Sequence, residues 1–322
     1  MKAFLFDRYG PPDVLTEREV ESPAIAADDD VLVRIEAAAT NALDWHFLRG
    51  RPYLMRLDGP ALLRPKERRL GVDLAGRVEA VGPAVTRFRP GDEVFGWTWG
   101  AYAEVVATKE RKLLARPAGL SAIEAAAIPT AATTALQGLR DVARLQAGQD
   151  VLVIGASGGV GTFAVQIAKA LGARHVTGVC HTRNVDLVRS LGADDVVDYA
   201  REDPVRRGRR YDVIFQLAGT HSPLALRRAL APDGTLVLSS GIGPFGGMDR
   251  VAAGMILSRL SRQRMPFFLA HLTLEDLEAI VAMIEAGTVR PVIERTYPLA
   301  ETQAAIAHID SGHTRGKVVI VA

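Results

Sequence analysis

The sequence predicts an α/β protein of two domains, the second built on a doubly wound parallel sheet. An apolar run at 151–154 stops in the glycines of Gly155-Ala156-Ser157-Gly158-Gly159-Val160-Gly161. Further strand-like segments then alternate with helical ones, and the region before 118 reads as short strands cut by turn residues. With 322 residues, 48% of them hydrophobic, the chain is long enough for two cores, and its 24% charged content argues against disorder.

From the N terminus, Val31 to Ala37 alternates in part, and Gly71 to Val81 is strand-like with glycine interruptions. Gly82-Pro83 and Pro90-Gly91-Asp92 supply turns before Glu93 to Gly96 and Tyr102 to Val106, which together make a compact β domain. Ser121 and Glu124 are spaced as a capping box, so a helix starts there, ends at Pro129, and is followed by a second beginning near Thr130. Val151 to Ile154 is apolar on both faces, as suits a central parallel strand. Val160, Phe163, Ala164, Ile167, Ala168 and Leu171 then share one helical face, with Gly172 as a stop.

His175–Cys180, Val196–Tyr199, Tyr211–Leu217 and Thr235–Ser239 are the next strands, with Phe267-Phe268-Leu269 as a sixth. Arg250 to Arg264 is a basic amphipathic helix with Val251, Met255, Ile256 and Leu260 near one face. It is read either as a membrane-surface helix or as one packed on the sheet or on a second subunit. A helix over Leu274–Glu285 leads to strands at Val292–Tyr297 and Lys317–Val321, which return to the first domain.

A net charge of +2 demands neither nucleic acid nor an anionic membrane as partner. The arginines at 206, 207, 209 and 210 form a solvated loop or a binding patch, and no aromatics interleave them. The single cysteine, Cys180, excludes an intramolecular disulfide and a four-cysteine zinc site, which fits a reducing cytoplasm. No apolar segment approaches membrane-spanning length, so neither export nor stable membrane insertion is expected.

A helix start presents unpaired N–H groups and a positive dipole end, and glycine admits a pyrophosphate close to the main chain. The expected phosphate contacts are Ala156, Ser157, Gly158, Gly159, Val160 and Gly161. In GxGxxG spacing Ala156 stands where the first glycine belongs, while the strand before and the helix after keep the required context. At the end of the next strand, Cys180-His181-Thr182-Arg183-Asn184 contains no acid, the first being Asp186. Thr182, Arg183 and Asn184 are therefore expected to accept a ribose 2′-phosphate, which favours NADPH as cofactor.

Asn41-Ala42-Leu43-Asp44-Trp45, Gly71-Val72-Asp73-Leu74-Ala75-Gly76, Pro90-Gly91-Asp92-Glu93-Val94, Gly155 to Gly161 and Gly312-His313-Thr314-Arg315-Gly316-Lys317-Val318-Val319 follow one another along nearly the whole chain. Together they resemble the medium-chain dehydrogenase/reductase superfamily, in particular its zinc-independent quinone oxidoreductase branch. The resemblance implies a GroES-like β domain (1–118 and 272–322) beside a Rossmann domain (119–271). It also implies an active site in the cleft between them and a homodimer through an edge strand of the Rossmann sheet.

Zinc-dependent members carry a ligand cysteine where this chain has Asn41 and a ligand histidine where it has Val72. The four-cysteine lobe is also missing, so no metal is expected. Without that Lewis acid alcohol oxidation is disfavoured. Hydride addition to a quinone or α,β-unsaturated carbonyl gives a delocalised oxyanion that needs only hydrogen-bond donors and a proton. The expected activity is NADPH-dependent reduction of such an acceptor. The alternatives are an enoyl or enone reductase of a biosynthetic pathway and a non-catalytic NADPH-binding sensor.

On the substrate side the resemblance points to Asn41 and Asp44 near the nicotinamide, with Tyr53 as a donor in the loop Arg49 to Arg69 that shapes the substrate entrance. Against these stand bland readings: Asn41 as a turn residue, Asp44 as a helix cap, Tyr53 as packing. Thr130 and Thr134 either face the cofactor or pack their helix, and Tyr199 either lies beside the adenosine phosphate or closes a strand end in the core. Arg315 and Lys317 reach phosphate or guard a strand edge. Gly241, just after the strand ending at Ser239, completes the expected cofactor-binding set.

Overall fold

The computed structural model describes every residue except Pro52, 57–63, 240–246 and Phe267. Its first stretch runs β1 (Lys2–Leu5), β2 (Thr16–Glu19), β3 (Asp30–Ala39), α1 (Ala42–Arg49), β4 (Asp73–Val81), β5 (Glu93–Trp97), β6 (Val105–Lys109), β7 (Leu113–Ala115), α2 (Ala122–Ala126) and α3 (Pro129–Gln137). It continues with β8 (Asp150–Ile154), α4 (Gly159–Ala170), β9 (His175–Cys180), α5 (Val185–Ser190), β10 (Asp195–Asp198), β11 (Tyr211–Gln216), α6 (Pro223–Leu226), β12 (Leu230–Leu238) and α7 (Met248–Arg259). The chain closes with α8 (Leu274–Glu285), β13 (Ile293–Pro298), α9 (Thr302–Asp310) and β14 (Lys317–Val321).

Two compact units form. One holds Met1–Ala131, Leu272–Val281 and Pro291–Ala322, and the other Ala132–His271 and Ala282–Arg290. Residues 119–131, expected in the dinucleotide-binding domain, fold with the first unit, because α2 packs on β3 and β4. The capping box that starts α2 is in place: Ser121 Oγ accepts from Glu124 N at 3.2 Å, and the Glu124 carboxylate accepts from Ser121 N at 3.0 Å.

The first unit is a sheet in the order β13-β14-β3-β4-β5-β7, with β6 also on β3. On β3, Val31, Val33 and Ile35 are buried while Arg34 faces water, the alternation of a sheet packed on one face. The C-terminal strand β14 runs antiparallel to β3, pairing Val319 with Ala39, so that residues near 40 and near 317 become neighbours. Phe6, Leu48, Leu74, Val94, Tyr102 and Val318 lie in its core.

The second unit is an all-parallel sheet in the order β10-β9-β8-β11-β12. All of β8 is buried, as its two-sided apolar sequence requires. The chain leaves β8 towards β9 and β10 on one side and returns to β11 and β12 on the other, so the C-terminal ends of β8 and β11 flank the topological switch point.

The expectation of a sixth strand is corrected. Of the sixth strand, Phe267 lies outside the described residues and Phe268 and Leu269 belong to no strand. Only an isolated bridge forms, between Arg264 and Thr235, and Pro266 beyond it has no N–H to extend a ladder. In α7 Met255 (47%) and Ile256 (60%), and Leu260 (73%) just past its end, are exposed, Val251 is half-buried, Leu257 packs against the sheet core, and Arg250 and Gly254 are buried. Gly254 allows this close approach: a Cβ there would meet Leu238 Cδ1 at 3.3 Å. Three of the four loop arginines form ion pairs, Arg206 with Asp203, Arg207 with Asp195 and Glu202, and Arg209 with Asp150.

Candidate active site

The turn after β8 takes its left-handed residue at Gly155 (φ +90°), one position ahead of the GxGxxG register. Ala156 is therefore not asked to adopt that conformation. Its buried methyl fits because β9 carries Gly178 opposite, where an added Cβ would lie 3.1 Å from Ala156 Cβ. A Cβ on Gly161 would lie 2.0 Å from Gly155 O, so this glycine lets α4 pack on the turn. One on Gly158 would meet only Gly155 O, at 3.5 Å. Gly158 caps α4 without a side-chain bond, leaving the N–H groups of Gly159, Val160 and Gly161 to an outside acceptor. The cradle fits a pyrophosphate.

Beside it, Asn184 is 4% exposed, and its Nδ2 donates to Ser157 Oγ at 2.9 Å while its Oδ1 is buried without a partner. It ties the end of β9 to the glycine turn rather than standing at the surface. The Thr182 hydroxyl donates to Asp198 Oδ2 at 2.6 Å, and this bond holds the Asp198 carboxyl below the usual range. Along the chain no acid follows β9 before Asp186; Asp198 arrives because β10 pairs in parallel with β9, Asp198 opposite Cys180. Arg183 is exposed, and Tyr199, at 52% exposure, stands edge-on to His181 rather than in the core. Thr134 is buried on α3, and Gly241 lies outside the described residues.

In the first unit, residues from four separate segments converge. Lys317 Nζ, 3% exposed, donates to Asn41 Oδ1 at 2.6 Å and to Thr40 O at 2.8 Å, and stands 3.7 Å from Asp73 Oδ2. Asn41 Nδ2 donates to Asp73 Oδ2 at 3.0 Å, so both ends of the amide are fixed. Asp73, fully buried, also accepts from the Thr130 hydroxyl at 2.6 Å and from Thr130 N at 3.1 Å. Burial raises the Asp73 carboxyl and lowers the Lys317 ammonium, and each charge opposes the shift of the other.

Asp44 begins α1. Its carboxylate accepts from Asn41 N at 2.7 Å, Gly71 N at 3.2 Å and the Tyr102 hydroxyl at 2.7 Å, the geometry of a buried helix cap. Burial nevertheless pushes it up to about 6. Between its ordinary value of 3.8 and about 6, the folded protein holds a proton that the unfolded chain has released. The group's contribution is thus most favourable below that window and falls by about 3 kcal/mol as pH rises through it. We expect the unfolding free energy of the wild type to decline over this range relative to Asp44→Asn, measured by denaturation at a series of pH values; a constant difference would exclude the shift.

Lys317, expected at a phosphate or on a strand edge, thus joins Asn41 from the substrate side and Thr130, expected to face the cofactor or pack its helix, while Arg315 is exposed at the surface. Tyr53 makes its contacts elsewhere. It is 53% exposed and lines a pocket with Tyr9, Arg49, Arg51 and Arg56, its hydroxyl 3.3 Å from Arg51 Nη2.

A β-rich unit carrying a buried polar cluster and a parallel-sheet unit carrying a phosphate cradle define the fold class of dinucleotide-dependent dehydrogenases and reductases. The Alcohol dehydrogenase GroES-like domain family matches residues 27–118, and the Zinc-binding dehydrogenase family matches 191–320. The mouse mitochondrial NAD(P)H oxidoreductase RTN4IP1 is 33% identical, covering 99% of this chain and 89% of that protein. The chloroplastic quinone-oxidoreductase homolog of Spinacia oleracea is 34% identical, covering 99% and 98%. The Escherichia coli quinone oxidoreductase complexed with NADPH superposes with a TM-score of 0.84 at 25% identity, over 100% of both chains.

The chain belongs to the medium-chain dehydrogenase/reductase superfamily, in its quinone oxidoreductase-like branch, and is an oxidoreductase. The zinc of the second family's description does not fit these residues. Among the described residues no three His, Cys, Asp or Glu side chains converge, and the Cys180 thiol, buried in β9, is pushed up to about 11.

Proposed function

We propose that the protein is a zinc-independent, NADPH-dependent reductase of quinones or α,β-unsaturated carbonyls. The observation that carries the reading is the glycine turn, open at Gly158 and closed at Gly161, feeding an uncapped helix start at the switch point of the sheet. When bound, NADPH supplies the hydride. The chain's share is orientation and charge. Lys317 and Asp73 hold the Asn41 amide and the Thr130 hydroxyl in place, and the buried ammonium favours negative charge developing on a nearby acceptor oxygen. The resulting oxyanion takes its proton from water. The relatives named for NAD(P)H and for quinones support the cofactor and acceptor classes. The cytoplasmic setting, the homodimer and the interdomain position of the reaction remain parts of this proposal.

The deciding experiment follows loss of reduced-nicotinamide absorbance with NADPH and NADH against quinones, alkenals and simple ketones, with and without chelator. Chelator-insensitive oxidation of NADPH by a quinone or alkenal supports the reading, and the preferred acceptor separates a quinone reductase from an enone reductase. Activity confined to ketones, or lost to chelator, overturns it; binding without turnover makes the protein a sensor. For the 2′-phosphate, Arg183→Glu is expected to lower the NADPH-to-NADH ratio of kcat/KM by about tenfold or more. An unchanged ratio would remove Arg183 from the site.

A further inference from the structure

Arg250 is 9% exposed on the inward face of α7, and its donors meet only neutral acceptors. Nη1 donates to Gly219 O at 3.1 Å, and Nη2 to Gln216 Oε1 and His221 O, while Nε is buried with no acceptor at all. Among the described residues no carboxylate forms an ion pair with it; the adjacent Asp249 acts on it only through space. A guanidinium buried this way is held by carbonyl dipoles but keeps its full charge.

The three acceptors belong to β11 and the loop that follows it, at the switch-point end of the sheet. That loop rests on the phosphate cradle. Leu217 N donates to Ile154 O at 2.9 Å, and a Cβ on Gly155 would lie 2.9 Å from Ala218 Cβ. Gly219, at φ +82°, bends the loop back so that its carbonyl faces Arg250. A side chain from α7 therefore sets the height of the surface against which the glycine turn is packed.

We propose that Arg250 is a positioning residue for the dinucleotide: its three-point grip fixes the loop after β11 against the glycine turn, and its charge, bound in no ion pair, draws the cofactor's phosphates to that end of the sheet. The inference rests on the dinucleotide reading above and adds to it a residue some 90 positions from the glycine motif. Arg250 touches no reacting atom in this role.

The test is the Kd for NADPH, read by nucleotide fluorescence, on wild type, R250Q and R250K, with thermal unfolding of the nucleotide-free proteins alongside. R250Q is expected to bind about ten- to a hundredfold more weakly, and R250K, which keeps the charge but not the planar fork, to recover part of the loss. Equal weakening of both variants would remove the charge from the proposal, and a folded R250Q with wild-type Kd overturns it entirely. Should R250Q not fold, R250K against wild type decides: a Kd raised about threefold or more supports the grip, and an unchanged Kd overturns it. A wild type that binds neither NADPH nor NADH would instead overturn the dinucleotide reading itself, and this inference with it.

Discussion

Lys317→Met is expected to lower the unfolding free energy by about 3–5 kcal/mol, and adding Asp73→Asn in the same chain to return part of that loss. Removing the ammonium strips Asn41 Oδ1 and Thr40 O of their donor and leaves a fully buried Asp73 carboxylate without its cation. Neutralising Asp73 then removes the uncompensated charge, which is why the two effects cannot add. Turnover should fall by about a hundredfold in Lys317→Met, because an amide held at one end only samples more than one orientation at the substrate end. Denaturant unfolding of the wild type, both single variants and the double variant measures the coupling. Additive costs would show that Lys317 and Asp73 do not act on each other.

Much of this fold was legible because its signals are local. The apolar run of β8, the helical face of α4 with its glycine stop, and the Ser121–Glu124 capping box each lie within a few residues and are decided by backbone geometry. The network around Lys317 was legible only as isolated candidates. Asn41, Thr130 and Lys317 were singled out one by one, but their common partner Asp73 was not, because pairing β14 with β3 joins residues 276 positions apart. Asp198 escaped for the same reason, being placed beside Thr182 by strand pairing and not by spacing. Arg250 stands in the sequence only as the first residue of a basic amphipathic segment. Helical periodicity sorts residues by type, and here packing overrides type: Gly254 brings the helix close, and carbonyls at a strand end accept what no apolar neighbour would. That alanine can stand at the first position of the glycine fingerprint is not legible either, since no linear pattern shows that Gly178 makes room for Ala156.

Packing separates two glycines that the motif treats alike. At Gly161 an added methyl would lie 2.0 Å from Gly155 O and 2.8 Å from the Ala156 backbone, atoms that cannot move without parting α4 from β8. Gly161→Ala should therefore cost about 3 kcal/mol of stability in the nucleotide-free protein and weaken NADPH binding with it. At Gly158 the backbone is extended (φ −80°), so alanine is unstrained, and the methyl meets only Gly155 O at 3.5 Å. Gly158→Ala should stay within about 1 kcal/mol of wild-type stability. Its methyl would stand where the main chain is bare to an approaching pyrophosphate, so NADPH should bind about a hundredfold more weakly. Denaturant unfolding without nucleotide and NADPH titration separate the two outcomes. A Gly158→Ala protein that binds NADPH like wild type would mean that the pyrophosphate does not cross that glycine.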